Sequence, residues 1–246
     1  MTPVAVVTGG ASGSGLAIAE RLMDDGWKVA VIDTDQAALG EAEDFLGGAD
    51  AIFLAVDVTD EDEVAAALDE VVDALGPISA LVNTASAKRE ALFEEVSAEL
   101  FREALEVNLI GSFIAAEAAL ERMGHRLSVV NLISVSGVRA NSGCTAYGAS
   151  QAGVKMMTEV MALELGSRGV RVNCVAVGPM DTASPFIQDA ERQRPWLERT
   201  PLGRAVSARE MTAAIAYLLS PEAGAITGHT LVIDGGFSAA GLLRVD

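Results

Sequence analysis

Val4-Ala5-Val6-Val7-Thr8-Gly9-Gly10-Ala11-Ser12-Gly13-Ser14-Gly15 is the stretch on which the fold turns. The apolar run Val4–Val7 reads as a strand, the glycine-rich run as a tight turn, and Gly15–Asp25 has helical length and apolar spacing. A second apolar run, Val29–Ile32, ends on Asp33. Strand, glycine turn, helix, strand and acid within roughly 30 residues make up a dinucleotide-binding unit. The alternative, a glycine turn that merely turns, does not account for that ordered context. Glycines let backbone N–H groups around Gly9, Ser12, Gly13, Ser14 and Gly15 approach a pyrophosphate, and the helix turns its positive end to the phosphates. Asp33 can accept hydrogen bonds from both hydroxyls of a plain ribose and would repel a 2′-phosphate, so the expected cofactor is NAD rather than NADP.

Further β-type runs follow at Ile52–Val56, Ile78–Val82, Leu127–Ile133, Val170–Val175 and Leu231–Ile233. Between them Glu61–Ala74, Ala98–Met123, Tyr147–Arg168 and Ala208–Leu219 carry helical periodicity. Seven strands alternating with helices predict an α/β fold, a doubly wound parallel seven-stranded sheet with helices on both faces, and ligands at the carboxyl ends of the strands. The 246 residues read as a single domain, 1–246. The stretch 178–204 breaks the alternation, with Pro179, Pro185, Pro195 and Pro201 among charges, Phe186 and Trp196. It reads as a flap that closes over a substrate, with a self-packed surface excursion as the alternative.

Composition narrows the class further. Half the residues are hydrophobic, yet no apolar run reaches the roughly 18 residues that a membrane span needs. Seventeen Lys and Arg stand against 35 Asp and Glu, and the net charge of −18 opposes nucleic acid and anionic lipid as partners. The acids within 41–50 and 57–73 fall at helical spacing and read as solvated helix faces. Cys144 and Cys174 form no framework and the first residues carry no export signal, so a cytoplasmic location is expected. His125 and His229 lack partners at ligand spacing, so no metal is expected.

Ser134 follows the fifth run, and Tyr147-Gly148-Ala149-Ser150-Gln151 opens a helix. With the Thr8–Gly15 turn, Asp57-Val58, Asn83, Val107-Asn108, Arg171-Val172-Asn173 and Asp234-Gly235-Gly236, these residues make the whole chain resemble the short-chain dehydrogenase/reductase family. The resemblance implies a Rossmann-type fold and hydride transfer between a nicotinamide and a small-molecule alcohol or carbonyl. Tyr147 would be the general acid/base, Ser134 would hold the substrate oxygen and Asn108 would support a proton-relay water. It also implies that Asp57 and Val58 contact the adenine, that Asn83 and Ala85 line the adenosine and ribose path, and that Gly178 and Thr182 lie at the nicotinamide end. A homotetramer packed through 98–123 and 147–168 is implied as well; Val154, Met157 and Met161 suit that interface or an internal core equally.

Three positions depart from the family pattern. Gln151 stands where the family has a lysine that binds the nicotinamide ribose and lowers the tyrosine's pKa. Glutamine can still donate to a ribose hydroxyl but brings no charge. A unit charge about 5 Å from a phenolate, at an effective dielectric of about 20, is worth roughly 3 kcal/mol, or about two pKa units. Alcohol oxidation, which needs tyrosinate, should therefore suffer more than carbonyl reduction, which needs the neutral phenol. Lys155 sits two turns beyond Tyr147, about 12 Å along the axis, and is expected to pair elsewhere rather than take over. Ser86 and Val177 replace a glycine and a proline, and Ser86 is expected to resist a glycine-only backbone angle. The competing reading is a nucleotide-binding protein on the same scaffold with weak or lost dehydrogenase activity.

Overall fold

The computed structural model describes residues 2–181 and 190–240. Seven parallel strands, β1 (Val4–Thr8), β2 (Lys28–Asp33), β3 (Ala51–Ala55), β4 (Ile78–Asn83), β5 (Met123–Ser134), β6 (Val170–Val177) and β7 (Thr230–Ile233), form one sheet in the order β3-β2-β1-β4-β5-β6-β7. The helices are α1 (Gly13–Asp24), α2 (Gln36–Leu46), α3 (Glu61–Leu75), α4 (Ala98–Leu105), α5 (Gly111–Glu121), α6 (Thr145–Leu165), α7 (Ala190–Leu197) and α8 (Ala208–Leu219). The single-domain, doubly wound architecture read from the sequence is the one observed.

Strand pleating explains the two layers. Along β1, Val4 and Val6 pack with Leu68, Val71 and Ile114 of α3 and α5 on one face. Ala5 and Val7 pack with Ile18, Leu22, Met211 and Ile215 of α1 and α8 on the other. Every β1 residue is buried, which is why these strands are continuous apolar runs rather than alternating ones. Val154 and Met157 pack in a third cluster and Met161 against the first, so all three serve the internal core.

Helix boundaries depart from the sequence reading in three places. The stretch read as one helix over 98–123 is two, joined by a π-helical turn at Glu106–Ile110 whose extra residue directs Asn108 inward, and Met123 already belongs to β5. Helix α2, capped by the Asp35 side chain on the Ala37 and Ala38 N–H groups, covers a stretch of which only the acids had suggested a helix. Helix α7 lies inside the 178–204 stretch that reads as irregular.

A row of buried polar side chains crosses the sheet at the carboxyl ends of β1 and β4. Thr8 Oγ1 donates to Asn83 Oδ1 (3.4 Å), Asn83 Nδ2 to Asn131 Oδ1 (2.9 Å), and Asn131 Nδ2 to Thr158 Oγ1 on α6 (2.8 Å). Arg171 and Asn173 tie β6 to the connection before β7, through the carbonyls of Leu219, Ser220 and Ile226. Asp234 accepts from the Gly236 and Ser238 N–H groups and so closes the turn after β7. Asn131→Ala leaves the buried Asn83 amide short of an acceptor and is expected to cost about 1–3 kcal/mol in urea unfolding, with no change of fold by circular dichroism.

Candidate active site

Where the chain order reverses between β1 and β4, the carboxyl ends of the central strands surround a cavity of about 520 Å³. Its floor is the glycine turn. Gly9 has φ 62°, and a Cβ there would lie 2.7 Å from the Ala85 backbone; one on Gly15 would lie 2.0 Å from the Gly9 carbonyl oxygen. The turn is thus closed against both the following loop and the start of α1. Asp33 stands on the far rim, its carboxylate held by the N–H groups of Ala11 and Asp35, each at 3.2 Å. Asp57 and Val58 flank it; the Asp57 carboxylate accepts from the Thr59 N–H and hydroxyl. Narrow glycine turn, apolar Val58 and carboxylate rim fit a dinucleotide: close N–H approach for a diphosphate, an apolar surface for a base and acceptors for ribose hydroxyls.

Of the residues expected to hold a cofactor, Gly9, Ser12, Gly13, Ser14, Gly15, Asp33, Asp57, Val58 and Ala85 line this cavity. Gly178 lines the neighbouring one, close against Asp234. Thr182 lies outside the described residues. Asn83 is turned inward and its side chain joins the buried polar row, with a further bond to the Ser112 carbonyl.

A second cavity of about 280 Å³ adjoins the first, sharing Ser14, Thr84 and Ser86 with it. Tyr147, in the first turn of α6, and Ser134, at the end of β5, both open on it. Gly137 lets the loop after β5 lie against α6, since a Cβ there would meet Gln151 at 2.8 Å. Gln151, expected at the cofactor, is buried and lines neither cavity, and its Oε1 accepts the Ser134 N–H at 2.8 Å. That bond orients the amide, leaving Nε2 as the donor end. Trp196 and Met180 form the opposite wall; Trp196 stacks on Phe237 at 4.8 Å, and Ser14 Oγ contacts Met180 Sδ at 3.6 Å.

Asn108 lines neither cavity and is bonded to a neighbouring loop and helix. Its Oδ1 accepts the Ala87 N–H (2.6 Å), and its Nδ2 donates to the Ala87 carbonyl (3.1 Å) and to Ser150 Oγ (2.9 Å). Ser150 in turn donates to the Tyr147 carbonyl. One buried amide therefore fastens the loop after β4 to the helix that carries Tyr147. Lys155 pairs with Glu159 on its own helix, as its spacing suggests.

Burial pushes the Tyr147 phenol above the ordinary value of about 10, against the hydrogen bonds of Ser86 and Ser134, which lower it. Ser86 thus proves to be a partner of the phenol. No non-glycine residue among those described has a positive φ, so the strain expected at Ser86 is not found. Sequence reading also missed Thr84, whose hydroxyl donates to the Thr8 carbonyl at 2.6 Å, and Lys88, whose Nζ lies 5.9 Å from the centre of the Tyr147 ring. Neither position carries a pattern signal. Burial also raises both thiols, Cys174 to about 11, so neither is a thiolate near neutrality.

A paired hydroxyl site beside a glycine-turn cradle on this sheet defines a class of nucleotide-dependent oxidoreductases, and comparison with known proteins agrees. Residues 9–238 match the family model described as enoyl-(acyl carrier protein) reductase. The chain is 37% identical to a 3-oxoacyl-(acyl-carrier-protein) reductase of Vibrio cholerae over 95% of its own length and 96% of the relative's. It is also 37% identical to a galactitol 2-dehydrogenase of Cereibacter sphaeroides (95% and 94%) and 35% identical to a cis-4-hydroxycyclohexanecarboxylate dehydrogenase of Sinomonas cyclohexanicum (96% and 96%). A crystal structure of a short chain dehydrogenase from Bacillus anthracis superposes with a TM-score of 0.87 at 27% identity, covering 96% of each chain. The chain belongs to the short-chain dehydrogenase/reductase family.

Two glycine substitutions separate close approach from chain entropy. Gly15→Ala forces the turn open and is expected to lose about 1–3 kcal/mol in urea unfolding. Gly40→Ala, on the open face of α2, is expected to gain about 0.5–1 kcal/mol.

Proposed function

We propose that the protein is an NAD(H)-dependent oxidoreductase interconverting a carbonyl and a secondary alcohol on a small or medium-sized substrate in the cytoplasm, with Tyr147 as general acid/base. One observation carries this reading: Tyr147 and Ser134 open on a single cavity that adjoins the glycine-turn cradle through Ser14, Thr84 and Ser86. A nicotinamide dinucleotide, when bound, supplies the hydride donor or acceptor. Ser134 holds the substrate oxygen. Tyr147 gives that oxygen a proton during reduction and takes one during oxidation. Gln151, fixed by the Ser134 N–H, offers its Nε2 hydrogens to a ribose hydroxyl but no charge. Asp33 selects the plain ribose, Asp57, Val58 and Ala85 take the adenosine side, and Gly178 and Thr182 the carboxamide side. The segment 178–204, of which 182–189 lie outside the described residues, is the substrate flap, a role supported by Trp196 in the cavity wall.

The raised phenol sets the direction in which pH acts. A pKa above 10 keeps Tyr147 neutral through the physiological range, so the acid needed for reduction is fully present. The base needed for oxidation becomes available only as pH climbs toward that value. Steady-state assays followed by nicotinamide absorbance over about pH 6 to 10 should therefore give a flat reduction profile and an oxidation rate that rises with pH. Tyr147→Phe is expected to lower both directions at least about 100-fold, and Gln151→Lys to move the oxidation profile down by roughly two pH units. Dinucleotide binding without turnover on a broad carbonyl and alcohol panel would overturn the enzyme reading.

Cofactor choice is separately testable. Calorimetry should find NADH bound more tightly than NADPH, and Asp33→Ala should shrink that preference by about tenfold or more, since it removes both the acceptors and the repulsion. We also propose a homotetramer, supported by the exposed apolar side chains Phe113 on α5 and Met156, Val160 and Leu163 on α6. Light scattering should then give four times the chain mass.

A further inference from the structure

We infer that Lys88 is the cation that acts on Tyr147, a positioning residue that stabilises the tyrosinate from the loop after β4 while the helical neighbour Gln151 stays neutral. This rests on the proposed role of Tyr147 as the acid/base. Lys88 Nζ lies over the face of the Tyr147 ring, 5.9 Å from its centre, and both residues line the same cavity. A cation there is attracted by the ring's negative face and more strongly by a phenolate.

The placement is built on both sides. Asn108 grips the N–H and the carbonyl of Ala87, the residue just before Lys88. On the other side, the Ala91 N–H donates to the Gly143 carbonyl at 3.0 Å, and Ala91 pairs with Cys144, three residues before Tyr147. Between these two anchors Lys88 pairs with Glu90 at 3.0 Å. The loop is thus stitched to the start of α6 from both ends, and its charged pair is held at the phenol.

The charges facing Tyr147 among the described residues come from few elements. The β4 loop brings Lys88 and Glu90. The residue before α6 brings the Cys144 thiol, kept protonated by burial, and the β5 exit brings only hydroxyls. Glu90 raises the phenol, as does the Cys144 thiol, and Glu90 is also the carboxylate that pairs with Lys88. A unit charge about 6 Å from the ring centre, at an effective dielectric of about 20, is worth up to roughly two pKa units, and Glu90 acts in the opposite direction.

Tyrosinate absorbance reads this without cofactor or turnover. The chain has two tyrosines, so subtracting the titration of Tyr147→Phe isolates Tyr147 from Tyr217. The decisive comparison is a fixed charge against none. The Tyr147 midpoint in Lys88→Arg should lie at least about one unit below that in Lys88→Met, with wild type between them. Glu90→Gln should move it down, opposite in sign to Lys88→Met. Coincident midpoints in the Arg and Met variants, or shifts of the same sign for Lys88→Met and Glu90→Gln, would overturn the inference and leave Lys88 as cavity wall. In turnover, Lys88→Met should lower oxidation kcat/KM about tenfold near neutral pH, with Lys88→Arg restoring it. Turnover that survives Tyr147→Phe would instead defeat the acid/base reading, and the titration would still report on Lys88.

Discussion

The hydrogen-bonded row from Thr8 through Asn83 and Asn131 to Thr158 is the constraint on which the site depends. Each member is almost wholly buried, and a buried amide or hydroxyl without a partner costs about 1–3 kcal/mol, so the row forms only in the native register. It lies level with the last residues of β1 and β4, where the aliphatic sheet ends and the loops begin. The apolar runs below it dictate a sheet but not which residue faces which. The polar row settles that for β1, β4, β5 and α6, and with it the positions of the glycine turn, the Ser86 loop, Ser134 and Tyr147.

Above the row, three polar side chains hold backbone. Asn108 fixes Ala87, Gln151 fixes Ser134, and Thr84 fixes the ends of β1 and β4 to each other. Loop geometry at the site is therefore set by side chains reaching from regular elements, as pre-organisation requires. The π-helical turn serves the same end, since an unbroken helix over 98–121 would present the position of Asn108 at a different angle.

What the sequence made legible was local. The strand, glycine and acid unit rests on short-range spacing, while Asp57, Val58, Ser134 and Tyr147 were named by the family resemblance; the structure places the first set with Asp57 and Val58 on one cavity, and Ser134 with Tyr147 on the next. What it hid was non-local or geometric. Asn83 sits where a ligand contact was expected, yet its fate is decided by Asn131, a partner on another strand. The helix break at Glu106–Ile110 leaves the apolar periodicity intact, so spacing cannot reveal it. Lys88 reads as one more charge in a polar loop; only folding that loop against α6 sets it over an aromatic ring.

A neutral residue beside a buried phenol creates an asymmetry between the two directions of proton transfer. Burial and the absence of charge on Gln151 both favour the neutral phenol, the form that acts as an acid. Hydrogen bonds from Ser86 and Ser134 work the other way but give only a partial correction, because neutral donors stabilise an anion less than a cation does. A cation carried on a loop, outside the row that fixes the strands, differs in kind from one locked on the same helix. Its loop is held by two backbone anchors, and a carboxylate competes for it, so small changes in that loop would tune the phenol without disturbing the sheet.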